Sequence, residues 1–229
     1  MTNFPEPKLL LHPNIPKPLH GLNPRTIMGQ AWWDEQRQRA YATHKYRCWA
    51  CGVHKMNAEI KPQLEAHENY EIDYAKGRMK IIEIVALCPM CHAFIHNGRV
   101  QALTLNGEME YVNAWRILHH GFNVLKKAGL PPNPFALRVA ATLTKNDPDA
   151  PIWAKPIILA PLIIDNPMPE GGEDIEWGDW RLVFGGKEYK PLFPTVEDWM
   201  AKYNPGFLDE YDRRINAREP GDPMDYGDR

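Results

Sequence analysis

"LCPMCHAFIHNGR", residues 87–99, is the stretch on which the reading of this chain turns. Cys88-Pro-Met-Cys91 is a C-x2-C unit, and Cys48-Trp-Ala-Cys51 is a second one, with 36 residues between them. Each such turn aims two thiolates at one point, and two turns complete a tetrahedral zinc site with no open position for water. Gly52 follows the first pair and relieves crowding in the tight turn. These are the only four cysteines in the chain. With no signal-peptide pattern at the N-terminus, the expected compartment is the cytoplasm, where ligands are a better reading of paired cysteines than disulfides.

Between the knuckles lies a hairpin-sized insert. "QLEAHE" (residues 63–68) and "MKIIEIVALC" (79–88) read as strands around the polar "YAKGR" (74–78). After Cys91, "HAFIHNGR" reads as a short helix ending near Gly98. It carries His92 and His96 four residues apart, hence on one helical face. The expected fold class is α+β: a zinc-stapled strand–strand–helix finger flanked by helices.

Segment 48–99, about a quarter of the chain, resembles the HNH nucleases, whose fold is the ββα-metal finger, in the subgroup stapled by four cysteines. The match lies in the two C-x2-C units, "LEAH" ending at His67, and "LCPMCHAFIH" from Leu87 to His96. The flanks look like those of uncharacterised phage and bacterial HNH-like proteins. The resemblance implies structural Zn²⁺ on Cys48, Cys51, Cys88 and Cys91. It also implies a second divalent metal (Mg²⁺, Mn²⁺, Ni²⁺ or Zn²⁺) on His67, His92 and His96, with positions left for water and a phosphate oxygen. Where the family carries a general-base histidine, this chain has Glu68, and the family's middle asparagine falls near Glu83. An unperturbed Glu, with a pKa of about 4.3, lies below the optimum for base catalysis at neutral pH. Glu68 is therefore the base, a further metal ligand, or an orienter of another imidazole such as His54. A second registration makes His67 the base and Glu65 a ligand on the same strand face. The bland alternative has His92 and His96 covering the zinc knuckle and His67 satisfied within the strand.

The implied activity is metal-dependent hydrolysis of DNA phosphodiesters, nicking one strand. The alternative is a catalytically silent zinc module that binds nucleic acid or a protein partner. Lys76, Arg78, Lys80 and Arg99 are the module's candidate phosphate contacts, with Arg37, Arg39, Lys45 and Arg47 upstream. The net charge of −2 conceals an asymmetry: residues 1–145 carry 18 Lys+Arg against 11 Asp+Glu, and residues 146–229 carry 9 against 18. The acidic part either solvates a Pro-rich scaffold or folds back to compete with nucleic acid for the basic finger. No apolar run is long enough to span a membrane.

Outward from the finger, residues 1–22 read as a Pro-rich arm lying over the body. "NPRTIMGQAWWDEQRQRAYATH" (23–44) reads as one helix capped by Asn23, and "NGEMEYVNAWRILHHGFNVLKKAG" (106–129) as a core helix ended by Gly129, with His119 and His120 structural. The organisation is thus an arm (1–22), a helix with the zinc module and its following helix (23–130), a Pro-rich region (131–218) and an acidic tail (219–229). Nine prolines between 131 and 169 predict an irregular wrapping segment. "DWRLVFGGKEYKPLF" (179–193) reads as a hairpin turning at Gly185-Gly186, and "TVEDWMAKYN" (195–204) as a helix capped by Thr195. Trp177, Trp180 and Trp199 are either core or a docking surface.

Overall fold

The computed structural model describes residues 4–13, 15–155 and 175–203. The centre of the fold is an antiparallel hairpin of β1 (Glu65–Asp73) and β2 (Arg78–Leu87). Asp73 closes its turn by accepting the Lys76 N–H at 3.2 Å, and Gly77 takes the left-handed conformation that ends the turn (φ 61°). Between Asn69 and Tyr70 the register slips by one residue, leaving Ile82 without a partner on β1. That bulge explains why an isoleucine in a central strand is 43 % exposed.

The sheet extends beyond this hairpin. β3 (Arg181–Phe184) lies parallel to β2, and β4 (Lys187–Tyr189) turns back antiparallel on β3. The four-stranded mixed sheet has the order β1-β2-β3-β4. The turn at Gly185-Gly186 forms as expected, with φ of 58° and 74°. What the sequence did not disclose is where the pair attaches: the Arg181 N–H donates to the carbonyl of Gly77 at 2.8 Å, which docks it beside the finger.

Among the described residues, seven α-helices surround the sheet. α1 (Pro24–Met28) begins with a capping box between Asn23 and Thr26, as the sequence predicts for its start. The single helix expected over 23–44 is interrupted, because Gly29 at φ 85° breaks it before α2 (Gln30–Thr43). α3 (Pro89–Ile95) begins inside the second knuckle rather than after it, and α4 (Asn97–Leu105) continues past the break at His96. α5 (Tyr111–Lys127) buries Trp115, Ile117, Leu118 and Leu125, and Gly129 follows its end at φ 68°. Gly121 on α5 sits so close to Phe94 of α3 that any Cβ there would overlap the ring.

The Pro-rich region holds a helix the sequence analysis did not anticipate, α6 (Pro134–Asn146). Pro131 and Pro132 precede it and Pro134 takes its first position, where a missing N–H is harmless. Asn133 caps it through the N–H groups of Phe135 and Ala136, and Ala136, Val139, Ala140 and Leu143 face inward. α7 (Val196–Tyr203) starts with Thr195 accepting the Asp198 N–H at 3.2 Å, as expected.

Two apolar cores result. The larger joins the first knuckle, α3, α5 and α6; the smaller gathers Leu19, Leu22, Tyr70, Met79, Ile81, Trp180 and Leu182. The N-terminal segment is thus no arm laid over a finished body, since Leu9 and Leu10 belong to the first core and Leu19 and Leu22 to the second. The tryptophans considered for docking are engaged within the fold. Trp180 is buried, Trp177 donates to the Phe193 carbonyl at 2.8 Å, and Trp199 donates to His20 Nδ1 at 3.1 Å. No helix among the described residues is long and apolar enough to cross a membrane. The acidic tail, 219–229, lies outside the described residues.

Candidate metal centres

The first knuckle is shaped by two backbone bonds: Cys48 N–H to the Val53 carbonyl and Gly52 N–H to the Cys48 carbonyl, both 2.8 Å. Gly52, at φ 77°, takes the conformation the turn demands. Trp49 N–H then donates to Ala86 of β2 at 2.8 Å, which fixes the knuckle to the hairpin. In the second knuckle Cys88 caps α3 and Cys91 lies in its first turn, where the helix dipole favours negative sulfur.

The four cysteines come together with every Sγ within 4.8 Å of the others, and Cys51 and Cys88 3.8 Å apart. Four sulfurs this close cannot all be anionic without a cation. Hydrogen bonding to Cys48 pulls Cys51 far down from the ordinary thiol range and drives Cys88 and Cys91 well above it. A divalent cation removes that conflict by neutralising all four as thiolates, so the quartet can hold a metal ion of the kind that four-thiolate sites favour. His120 on α5 adds a contact, its Nε2 3.2 Å from Cys91 Sγ. A ring N–H donating to a ligand sulfur is a structural role of the kind expected for this histidine.

A second cluster involves the same helix, α3. His67 projects from β1, and His92 and His96 stand one turn apart, with His96 N–H bonded to the His92 carbonyl at 3.2 Å. One nitrogen from each ring lies within 4.8 Å of the others. Ring centroids are 5.4 Å apart for His67 and His92, 5.0 Å for His67 and His96, and 4.7 Å for His92 and His96. A metal in the cysteine quartet would tie the start of α3 to the first knuckle, which Trp49 already fixes to the hairpin.

His67 is 3 % exposed, and neither of its ring nitrogens has a hydrogen-bond partner. That argues against a satisfied strand histidine, because a buried donor or acceptor left unpaired costs ~1–3 kcal/mol. Burial, with the nearby imidazoles second, holds His67 well below the usual histidine range and His96 at about 4. Both are therefore neutral at pH 7 and carry free lone pairs. His92 is oriented by Glu65, whose Oε2 lies 2.6 Å from Nδ1 and leaves Nε2 available. The bond to His92 lowers the Glu65 carboxyl below its ordinary range. Such carboxylate–histidine pairing sets ring tautomer and direction in metal sites. These three rings fit a divalent cation, with Glu65 as the group behind one ligand.

The remaining sequence candidates are placed differently. Glu65 and His67 share a face, as the second registration expected, but Glu65 is spent on His92. Glu68 is not among the residues whose donor atoms cluster with the trio. Burial raises its proton affinity, against the pull of His92 and Arg25. His54 is occupied in the knuckle loop, where its Nδ1 accepts the Met56 N–H at 3.3 Å. Glu83 accepts from Asn69 at 3.4 Å on the exposed side of β2.

Of the basic residues, Lys76 pairs with Asp73 at 2.8 Å and Arg78 with Glu188 at 3.1 Å, while Arg78 also donates to the Asp179 carbonyl. Upstream, Arg37 pairs with Asp34 and Arg39 with Glu35. Lys80 and Arg99 are exposed and make no ion pair among the described residues. A cavity of ≈ 750 Å³ opens beside Cys51, Met90, Arg116 and His119, but none of the three clustered histidines lines it. It therefore has no share in their chemistry.

Sequence reasoning missed His12. It is 6 % exposed and stands edge-on to His67 at 5.2 Å between centroids. No local spacing could have placed a residue of the N-terminal segment there. Compared with known protein families, curated proteins and solved structures, the chain matches none.

Proposed function

We propose that this protein is an HNH-like, metal-dependent endonuclease that hydrolyses DNA phosphodiesters by nicking. The observation carrying the reading is the cluster of three imidazoles in which His67 is buried with both nitrogens unpartnered. Structural zinc would occupy Cys48, Cys51, Cys88 and Cys91, and an exchangeable divalent metal His67, His92 and His96. When bound, that metal would neutralise developing charge on the phosphoryl group and stabilise the leaving oxygen. Glu65 keeps the His92 ring turned inward. Glu68 is the proton acceptor for the attacking water, and the burial that raises its proton affinity moves it toward the range a neutral-pH base needs. Arg99, three residues beyond His96, and Lys80, both exposed, are candidate contacts for phosphate oxygens.

A silent module that binds nucleic acid or a protein partner is the second reading. It is favoured by the position of Glu68 outside the donor cluster and by the pairing of Lys76 and Arg78 with acids. Cleavage of supercoiled plasmid separates the two, using protein stripped of its exchangeable metal and resupplied with Mg²⁺, Mn²⁺, Ni²⁺ or Zn²⁺. The nuclease reading expects nicking that disappears in His92→Ala and falls by roughly 10²–10⁴-fold in Glu68→Gln. No nicking with any metal, by folded protein that retains its zinc, would leave the binding module.

A further inference from the structure

The N-terminal segment is pinned on both sides of His12. Upstream, the fully buried Asn133 at the head of α6 donates to the Leu10 carbonyl at 2.8 Å. Downstream, the Tyr70 hydroxyl donates to the Pro13 carbonyl at 3.0 Å. The imidazole itself accepts the Tyr70 backbone N–H on Nε2 at 3.1 Å, and its ring lies 3.8 Å from the Tyr70 ring. Ring position and direction are thereby set from three sides.

The backbone bond also fixes the tautomer. A backbone N–H can only donate, so Nε2 must offer a lone pair, and a neutral ring then carries its proton on Nδ1. Nδ1 is buried and has no partner in the fold. A nitrogen that carries a proton cannot ligate a metal, so His12 is not a fourth ligand, although its ring stands against His67. What it offers is one buried N–H with no acceptor, on a ring edge-on to His67.

Resting on the reading of His67, His92 and His96 as a metal site, we propose that His12 is a positioning residue of that site. Its Nδ1–H donates to a non-bridging phosphate oxygen held at the cluster. The N-terminal segment thus completes a site whose other parts come from the hairpin and α3. Because the donor is locked before the ligand arrives, its orientation requires no ordering on binding.

Two substitutions divide the two nitrogens between them. His12→Asn retains a donor near the Nδ1 position and loses the acceptor for Tyr70. His12→Gln retains an acceptor near Nε2 and loses the donor to the site. A purely structural role in holding Tyr70 is preserved by glutamine; the positioning role is preserved by asparagine. The assay is calorimetric titration of Mn²⁺ into zinc-retaining protein, followed by inorganic phosphate into the Mn²⁺-loaded form. Mn²⁺ affinity is expected to stay within a few-fold of wild type in both variants. Phosphate binding is expected to weaken about 10- to 100-fold in His12→Gln, as for a lost hydrogen bond to a charged acceptor, and much less in His12→Asn.

Independently of any variant, ¹⁵N shifts of the wild-type ring should show a protonated Nδ1 and a bare Nε2. A protonated Nε2, or phosphate binding by His12→Gln equal to wild type, overturns the proposal while leaving the metal site standing. Loss of Mn²⁺ affinity in both variants overturns it by making His12 a ligand. Wild-type protein that binds no Mn²⁺ removes the metal-site reading itself, and the role of His12 with it.

Discussion

On the proposed metal site of His67, His92 and His96, replacing His67 with phenylalanine should stabilise the metal-free protein and abolish its stabilisation by added metal. The structure supplies the terms. His67 is 3 % exposed and both ring nitrogens lack partners. Each unpaired buried polar atom costs ~1–3 kcal/mol, so two give roughly 2–6 kcal/mol of relief when the ring becomes apolar. The slightly larger phenyl returns ~1–3 kcal/mol of this through overpacking. A net gain of about 2 kcal/mol corresponds to a Tm about 4–8 °C higher in a chain of this size. For wild type, metal at 100 times its Kd adds ~2.7 kcal/mol, and the variant should gain nothing. Thermal unfolding with and without Mn²⁺, with the cysteine-bound metal retained throughout, measures both. An unchanged or lower metal-free Tm, together with a metal-induced rise equal to wild type, would refute the assignment of His67 as a buried ligand.

Other consequences follow from neighbouring groups. Glu65→Gln exchanges the carboxylate behind His92 for a neutral amide, and Mn²⁺ affinity measured by calorimetry should fall about 10- to 100-fold with the fold intact. Acid should destabilise the metal-free protein over a defined window, checked by urea unfolding across pH. His12 and His96 have folded-state pKa values of about 4, with burial the main cause, against about 6.5 when unfolded. Above pH 6.5 both states are neutral and stability is flat. Between pH 6.5 and 4 only the unfolded chain takes up protons, so stability declines by up to ~3 kcal/mol for the buried His12 and by less for the more exposed His96 before levelling off. Gly121→Ala drives a methyl into the Phe94 ring on the helix that carries His92 and Cys91. It should cost ~1–3 kcal/mol in denaturant unfolding.

The parts of this protein that the sequence determined by itself are those set by short-range geometry. C-x2-C spacing closes a knuckle whatever surrounds it, and His92 and His96 share a helix face because 3.6 residues make a turn. Gly185-Gly186 makes a two-residue hairpin, and Asn23 and Thr195 start helices with bonds reaching only three residues ahead. Even there a single backbone choice escaped notice: Gly29 broke one apparent helix into two. The prolines before α6 resembled disruption, although Asn133-Pro134 starts that helix by the same local cap as Asn23-Pro24; only the bond from the Asn133 amide to the Leu10 carbonyl is long-range.

The rest was decided by contacts between residues far apart in the chain. β3 joins β2 through the carbonyl of Gly77, Glu65 turns to His92, His120 reaches Cys91, and His12 crosses to the strand at Tyr70. None has a local signature, because nothing near either partner encodes the distance that packing will remove. A sequence pattern can therefore propose three imidazoles for one metal. Only the tertiary structure, by burying His67 without a partner and setting His12 beside it, decides which nitrogens remain available for chemistry.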